Sequence, residues 1–325
     1  MSATAKTVLI AGATGYIGRF VVTELRRRGY RVIAILRNPP DAEVAKHLEA
    51  CEVRVALLTD VDVLKEALAG LKADAVISCI ASRSGAPKDA WLVDYKANSN
   101  LLAAARELGV SRFVLLSAIC VQKPQLEFQK AKLAFETELA VSGIDYSIVR
   151  PTAFFKSLSG QVDRVRDGKP FLVFGDGSET RCKPISEADL ARYLVDCLEH
   201  QKYRNRILPI GGPGDPLSPL DQGNLLFEIL GETPRYRHVP VRLFDVAIAV
   251  LRPLSILFPS LARKAEFARI GRYYATESML VWDPENEDYN AAATPETGSD
   301  TLRCHYQRML TDGGKGQELG EHKLF

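Results

Sequence analysis

Residues 7–20, TVLIAGATGYIGRF, decide the fold. An aliphatic run of strand character is followed by Gly12, Gly15 and Gly18, one every third position, where the pattern turns helical. Glycine there lets the chain turn tightly and lets a pyrophosphate approach the backbone at a helix N-terminus, whose free N–H groups favour an anion. Thr14, Tyr16 and Ile17 fall in the same turn and are read with it as cofactor-binding positions. A plain glycine-rich β–turn–α corner is the alternative. A strand before, a helix after and a complete βαβ unit favour the dinucleotide.

Outward from that corner, short apolar runs alternate with amphipathic helices. KTVLIAG, YRVIAILR, CEVRVALL, ADAVISCIA, RFVLLSA and DYSIVRP predict strands, with GRFVVTELRRRG, VDVLKEALAG, YKANSNLLAAARELG and FQKAKLAFETELAVSG as the helices between them. Strands apolar on both faces belong in a parallel sheet covered on both sides. The expected fold class is therefore α/β, a Rossmann-type doubly wound parallel sheet with a smaller C-terminal substrate lobe. Residues 1–150 form the dinucleotide-binding domain and 151–325 the substrate lobe and tail. Beyond Pro151 the sequence predicts a turn-rich stretch, GKPFLVFGDGSETRCKPIS, then a helix opened by Ser186, a strand in NRILPIGGPG and a helix capped by Ser218. Residues 239–261 read as two short helices divided at Pro253 and ending near Pro259, and the chain from Asp283 as an extended surface segment ending in GGKGQELGEHKLF.

Composition excludes several functions. The 325 residues are 46% apolar and 25% charged, with a formal net charge of +2, so no nucleic-acid partner is implied; the basic run ELRRRGYR is a solvated helix end. The six cysteines and five histidines show no zinc or iron–sulfur spacing, and no protein-bound metal is expected. No run of about twenty apolar residues offers a membrane span. The first strand begins too early for a leader peptide, so a cytoplasmic chain is expected.

Further site positions follow from the fold. The second strand ends in Arg37, where an acidic residue would bind the ribose 2′-hydroxyl of NAD; a guanidinium suits the 2′-phosphate of NADP instead, unless Arg37 is only a loop charge. Cys79, Ile80 and Ala81 leave the fourth strand beside the cofactor, and Pro151 closes the sixth. Ser117 ends the fifth strand, the place of a catalytic serine in short-chain dehydrogenases. Lys132 follows on a helix and is assigned to the nicotinamide ribose, against the alternative of an ordinary helix lysine. Four positions ahead of it such enzymes carry a tyrosine acid, and here stands Phe128.

The stretches LLSAICVQKPQLEFQKAKLAFE, KPISEADLA, LPIGGPG, GRYYATESML and GQELGE together resemble the NADPH-dependent divinyl chlorophyllide 8-vinyl reductases. These are atypical, NmrA-like short-chain dehydrogenases of chlorophyll and bacteriochlorophyll biosynthesis. The resemblance runs through nearly the whole chain. It implies NADPH as cofactor and a divinyl chlorophyllide, a magnesium tetrapyrrole, as substrate. The missing plant-type import extension points to a bacterial enzyme. Carbonyl reduction needs a proton at the developing alkoxide, whereas hydride addition to a vinyl group leaves charge spread over the macrocycle, so Phe128 is compatible with it. A non-catalytic NADP-binding regulator or an accessory subunit would lose the tyrosine too. Lys123, Lys132, Tyr95 and the Cys120 thiol are all conceivable proton donors. Phe154 and Phe155, just past the sixth strand, together with residues 239–261 and GRYYATESM, are the candidate walls for the macrocycle, with Lys156 for its carboxylate. The segment 239–261 has two alternative uses, as core or as a contact with a membrane surface.

Overall fold

The structure, a computed structural model, describes residues 6–258 and 260–311. Eight strands follow one another as the alternation requires: β1 (Thr7–Ala11), β2 (Arg31–Leu36), β3 (Glu52–Val55), β4 (Ala75–Ser78), β5 (Arg112–Leu116), β6 (Asp145–Pro151), β7 (Phe171–Phe174) and β8 (Arg206–Ile210). All but β7 join one sheet in the order β3-β2-β1-β4-β5-β6-β8, with every pair parallel. Because β1 pairs with β2 on one side and β4 on the other, Ala11 lies against both Ile35 and Ser78. That reversal of strand order opens a crevice at the carboxyl ends, where open α/β sheets bind their ligands.

Both faces of the sheet are covered, which is why β1, β4 and β5 are buried along their whole length. On one face the helices Tyr16–Arg27 and Glu187–Glu199 pack Val21, Leu25, Leu190 and Leu194 over Val8 and Ile10. On the other, the helices Val61–Leu68, Asn98–Glu107 and Glu127–Ala140 bring Leu64, Leu101 and Phe135 onto Leu9, Ile33 and Phe113. Each such side chain contributes roughly 1.5–3 kcal/mol when fully buried. Ser186 and Ser218 cap their helices as expected, each side chain accepting the amide three residues on.

The chain beyond Pro151 does not stay apart. It supplies β8, the outermost strand, and the covering helix Glu187–Glu199 before building a second core. That core holds Phe155, Val162, Phe171, Leu226, Phe227, Leu302 and Tyr306. Here β7, in a stretch read only as turns, pairs in parallel with β9 (Tyr236–Val239).

Two local expectations are corrected. Pro253 does not divide two helices but lies inside one, Arg242–Leu257. A proline removes only one helical hydrogen bond, and packing against the following helix Ser260–Thr276, where Phe244 lies against Gly271, holds the turns on either side. Nor is the chain from Asp283 extended. It forms a hairpin of β10 (Val281–Asp283) and β11 (Asp288–Asn290), then a helix, Leu302–Thr311, that buries Leu302, His305 and Tyr306 at helical spacing. The terminal GGKGQELGEHKLF lies outside the described residues.

Candidate active site

The glycine cradle is built where the sequence placed it. Gly12 has φ +83°, and a Cβ on it would stand 2.7 Å from the carbonyl oxygen of Cys79, at the end of β4. A Cβ on Gly18 would stand 1.9 Å from the carbonyl oxygen of Gly12. Gly15 is the helix N-cap and makes no side-chain capping bond; its amide donates to Gly12 at 3.0 Å. The first intrahelical bond comes from Arg19 to Gly15, so the amides of Tyr16, Ile17 and Gly18 precede the ladder and are available to an anion. Thr14 and Gly15 are exposed beside them. These features fit a dinucleotide pyrophosphate. Arg37 is exposed one residue past β2, at the same edge of the sheet. Cys79 and Ile80 are half-buried and Ala81 is exposed; burial pushes the Cys79 thiol up to about 12, so it stays protonated.

Tyr16 ties the cradle to the chain beyond β6. Its hydroxyl donates to Glu187 at 2.7 Å, its ring lies 6.4 Å from that of Phe154, and the Lys156 ammonium stands 4.9 Å from its centroid. Burial and then the Glu187 carboxylate push this phenol far above its ordinary range.

At the ends of β4 and β5 the dehydrogenase pattern is only partly kept. The Lys132 ammonium is mostly buried and pairs with buried Asp94 at 2.9 Å, while Asp94 accepts the amide of Ser82, just past Ala81. Lys132 is thereby anchored beside the end of β4. Ser117, the serine expected at this place, is buried; its hydroxyl donates to Glu136, whose carboxylate pairs with Arg150. Phe128 lies half-buried in an apolar cluster with Ala118, Ile270 and Tyr274.

Past the ends of β5 and β6 opens a cavity of about 1450 Å³, counting its mouth to solvent. Ala118, Ile119 and Cys120 follow β5 into it; Pro151 to Phe154 and Lys156 follow β6; Phe171, Phe174, Leu217 and Met279 add apolar wall. Arg181, Gln161, Tyr274 and Glu277 are among its polar side chains. Burial raises the Glu277 carboxyl, but Lys123 at 2.7 Å, Tyr289 and Gln125 outweigh it and hold it below the ordinary range.

Phe154 and Lys156 line the cavity as expected; Phe155 does not. Its ring is wholly buried in the second core, 5.1 Å from that of His305. Phe154 is the extended N-cap residue and Phe155 the first residue of the short helix Phe155–Leu158, and the chain turns between them. None of the described residues in 239–261 is in its lining either, whereas GRYYATESM supplies Tyr274, Ala275, Glu277 and Met279. Arg181 and Tyr274 escaped sequence reading; Tyr274 stood within a stretch already marked, and its spacing gave no direction for its hydroxyl. Away from the cavity, Asp196, Glu199 and His200 converge at the surface, where Arg28 already pairs with both carboxylates.

A family model described as NAD(P)H-binding matches residues 12–201. The chain is 50% identical to the divinyl chlorophyllide a 8-vinyl-reductase, chloroplastic, of Arabidopsis thaliana, over 97% of its own length and 79% of that protein. With the corresponding Zea mays protein identity is 51%, over 100% of this chain and 84% of the other. Among solved structures, leucoanthocyanidin reductase bound to NADPH from Vitis vinifera superposes with a TM-score of 0.69 at 17% identity, covering 94% of this chain and 99% of that one. At that identity the likeness is one of fold.

Proposed function

The chain belongs to the divinyl chlorophyllide a 8-vinyl-reductases, and from that membership we propose where and how it works. It is an oxidoreductase that reduces the 8-vinyl group of a divinyl chlorophyllide to ethyl, with NADPH supplying the hydride when bound. The observation that carries the site assignment is the apolar cavity at the carboxyl ends of β5 and β6, joined to the glycine cradle through Tyr16. A regulator that only senses NADPH needs no such cavity.

Gly12, Gly15 and Gly18 hold the pyrophosphate, with the amides of Tyr16 and Ile17 turned to it, and Arg37 takes the 2′-phosphate. Cys79, Ile80, Ala81 and Pro151 flank the path of the dinucleotide towards the cavity, where Asp94 fixes Lys132 to orient the nicotinamide ribose. The flat ring of the substrate lies against Phe154, and Lys156 and Arg181 in the same wall are the cations that would face its propionate. Purified protein given NADPH and a divinyl chlorophyllide should yield the monovinyl pigment, followed by chromatography. Recovery of unchanged pigment, with NADPH bound but not consumed, refutes the assignment and favours the regulator.

A peripheral contact with a membrane is also proposed, on a separate observation. No helix among the described residues is long and apolar enough to cross a bilayer. The helix Arg242–Leu257 nevertheless exposes Leu243, Val246, Val250, Leu254 and Leu257 along one stripe, with Arg242, Arg252, Arg263 and Lys264 exposed around it. Apolar side chains bordered by cations suit an anionic lipid surface. Flotation with anionic vesicles should carry the protein, and Val250→Asp should abolish it; equal flotation of both proteins ends this reading. A bacterial cytoplasm remains our proposal for the compartment, beside relatives named as chloroplastic. Fractionation of the native cell tests it.

A further inference from the structure

Position 128 offers no hydroxyl, but another element brings one to the same apolar cluster. Tyr274, on the helix Ser260–Thr276, packs in the apolar cluster that contains Phe128 and Ala118, and it lines the cavity. Its Oη lies 3.8 Å from the Cys120 sulfur, a weak acceptor that leaves the hydroxyl free to turn towards a ligand. Three of the four donors that the sequence offered are engaged with carboxylates, and the fourth, the Cys120 thiol, is pushed above its ordinary range by burial. Lys132 is paired with Asp94; Lys123 is paired with Glu277 and sits 4.1 Å from the Trp282 ring centroid; Tyr95 is engaged with Glu138. Tyr273 donates to the Cys120 carbonyl at 2.9 Å.

We propose that Tyr274 is the catalytic acid of vinyl reduction, an inference that rests on the reaction assigned above. Hydride, with its electron pair, forms a C–H bond at the terminal vinyl carbon, and the vinyl π pair passes to the inner carbon and the macrocycle. That pair takes the proton from Tyr274 Oη, forming the second C–H bond of the ethyl group. The O–H electrons stay on oxygen as a phenolate, which regains a proton from solvent through the cavity mouth; NADPH leaves as NADP⁺. Burial, and then the neighbouring Cys120, keep this phenol protonated well above neutrality, which suits an acid that must yield only to a strongly basic carbanion.

Tyr274→Phe keeps the ring and removes only the acid. Its kcat should fall by roughly 100-fold or more, while NADPH affinity, melting temperature and KM for divinyl chlorophyllide stay within about threefold or a few degrees of wild type. The solvent deuterium isotope effect on single-turnover reduction should rise as protonation becomes limiting. Tyr273→Phe, one residue away and turned to a backbone carbonyl, should retain most of its turnover. Turnover of Tyr274→Phe near the wild-type value overturns the proposal. So does an equal loss in Tyr273→Phe, which would mark both effects as structural. Wild-type protein that binds NADPH but leaves divinyl chlorophyllide untouched would instead strike the reaction itself.

Discussion

Phe154 and Phe155 are neighbours in sequence and opposites in consequence. Phe155→Ala would empty a wholly buried site bounded by Val162, Phe171, Leu226 and Tyr306, with the His305 ring 5.1 Å away. Truncating a buried phenylalanine costs about 3–5 kcal/mol, the lost transfer energy plus the cavity left behind. In a domain of this size that lowers Tm by roughly 5–10 °C. The Ser159 hydroxyl, which bridges the Phe155 carbonyl and His305 at 2.8 and 2.9 Å, gives the damage a route to the helix Leu302–Thr311. Phe155 is not in the lining of the proposed substrate cavity, so KM in the folded fraction should not change. Phe154→Ala takes away a half-buried ring that faces the cavity and touches Tyr16 at 6.4 Å. Losing about half the contact value of a phenylalanine, ~1–2 kcal/mol, weakens substrate binding roughly 5- to 30-fold. Melting curves followed by dye fluorescence, and initial rates over a range of divinyl chlorophyllide, separate the two. A Phe155→Ala protein with wild-type Tm, or with a KM raised more than that of Phe154→Ala, refutes this assignment of faces.

Gly18→Ala drives a methyl group into the Gly12 carbonyl, against backbone that no rotamer can relieve, and should weaken NADPH binding at least tenfold; Gly29→Ala, with nothing within 4 Å of its new Cβ, should cost only ~1–2 kcal/mol of stability for its positive φ and leave affinity intact. Titration of NADPH fluorescence distinguishes them. Arg37→Asp removes a charge-assisted phosphate contact worth about 1.5–3 kcal/mol, so the NADPH-to-NADH affinity ratio should fall roughly 10- to 100-fold, and an unchanged ratio removes Arg37 from the cofactor site. Lys132→Ala leaves Asp94 buried without its cation and the nicotinamide unguided, so turnover should drop by about two orders of magnitude. Phe128→Tyr should not raise vinyl reduction, and a large gain would contradict the charge pathway.

What the sequence disclosed was whatever repeats a local rule. Parallel strands buried on both faces leave continuous apolar runs, and the three glycines sit in a fixed strand–turn–helix context, so the sheet and the cradle were legible. The second core obeys no such rule. The partners of β7 and β9, Phe171 with Tyr236, are 65 positions apart, and four-residue strands carry little pattern of their own. Nor could the sequence show that Ser117 bonds to Glu136, nineteen positions away on a helix and held by Arg150 on β6. Direction was the quantity least accessible: LFDVAIAVL has helical period, yet its apolar stripe faces outward, while the polar-looking RYYATE turns Tyr274 inward.

These displacements share one chemical logic. A carbonyl reductase needs hardware for an oxyanion, a serine and a tyrosine converging on one oxygen. In this chain the serine position is absorbed into the Ser117–Glu136–Arg150 network and the tyrosine position into an apolar cluster, while the lysine of the same set remains ionic and anchored beside the cofactor path. The serine and the tyrosine would stabilise charge on a substrate oxygen; the lysine is the residue we propose to orient the nicotinamide. A vinyl group needs the second and not the first, because its charge disperses into the ring to which it is attached. The proton it still requires goes to carbon and not to oxygen, and the hydroxyl we propose for it, that of Tyr274, comes from the helix Ser260–Thr276 and not from the helix that carries position 128.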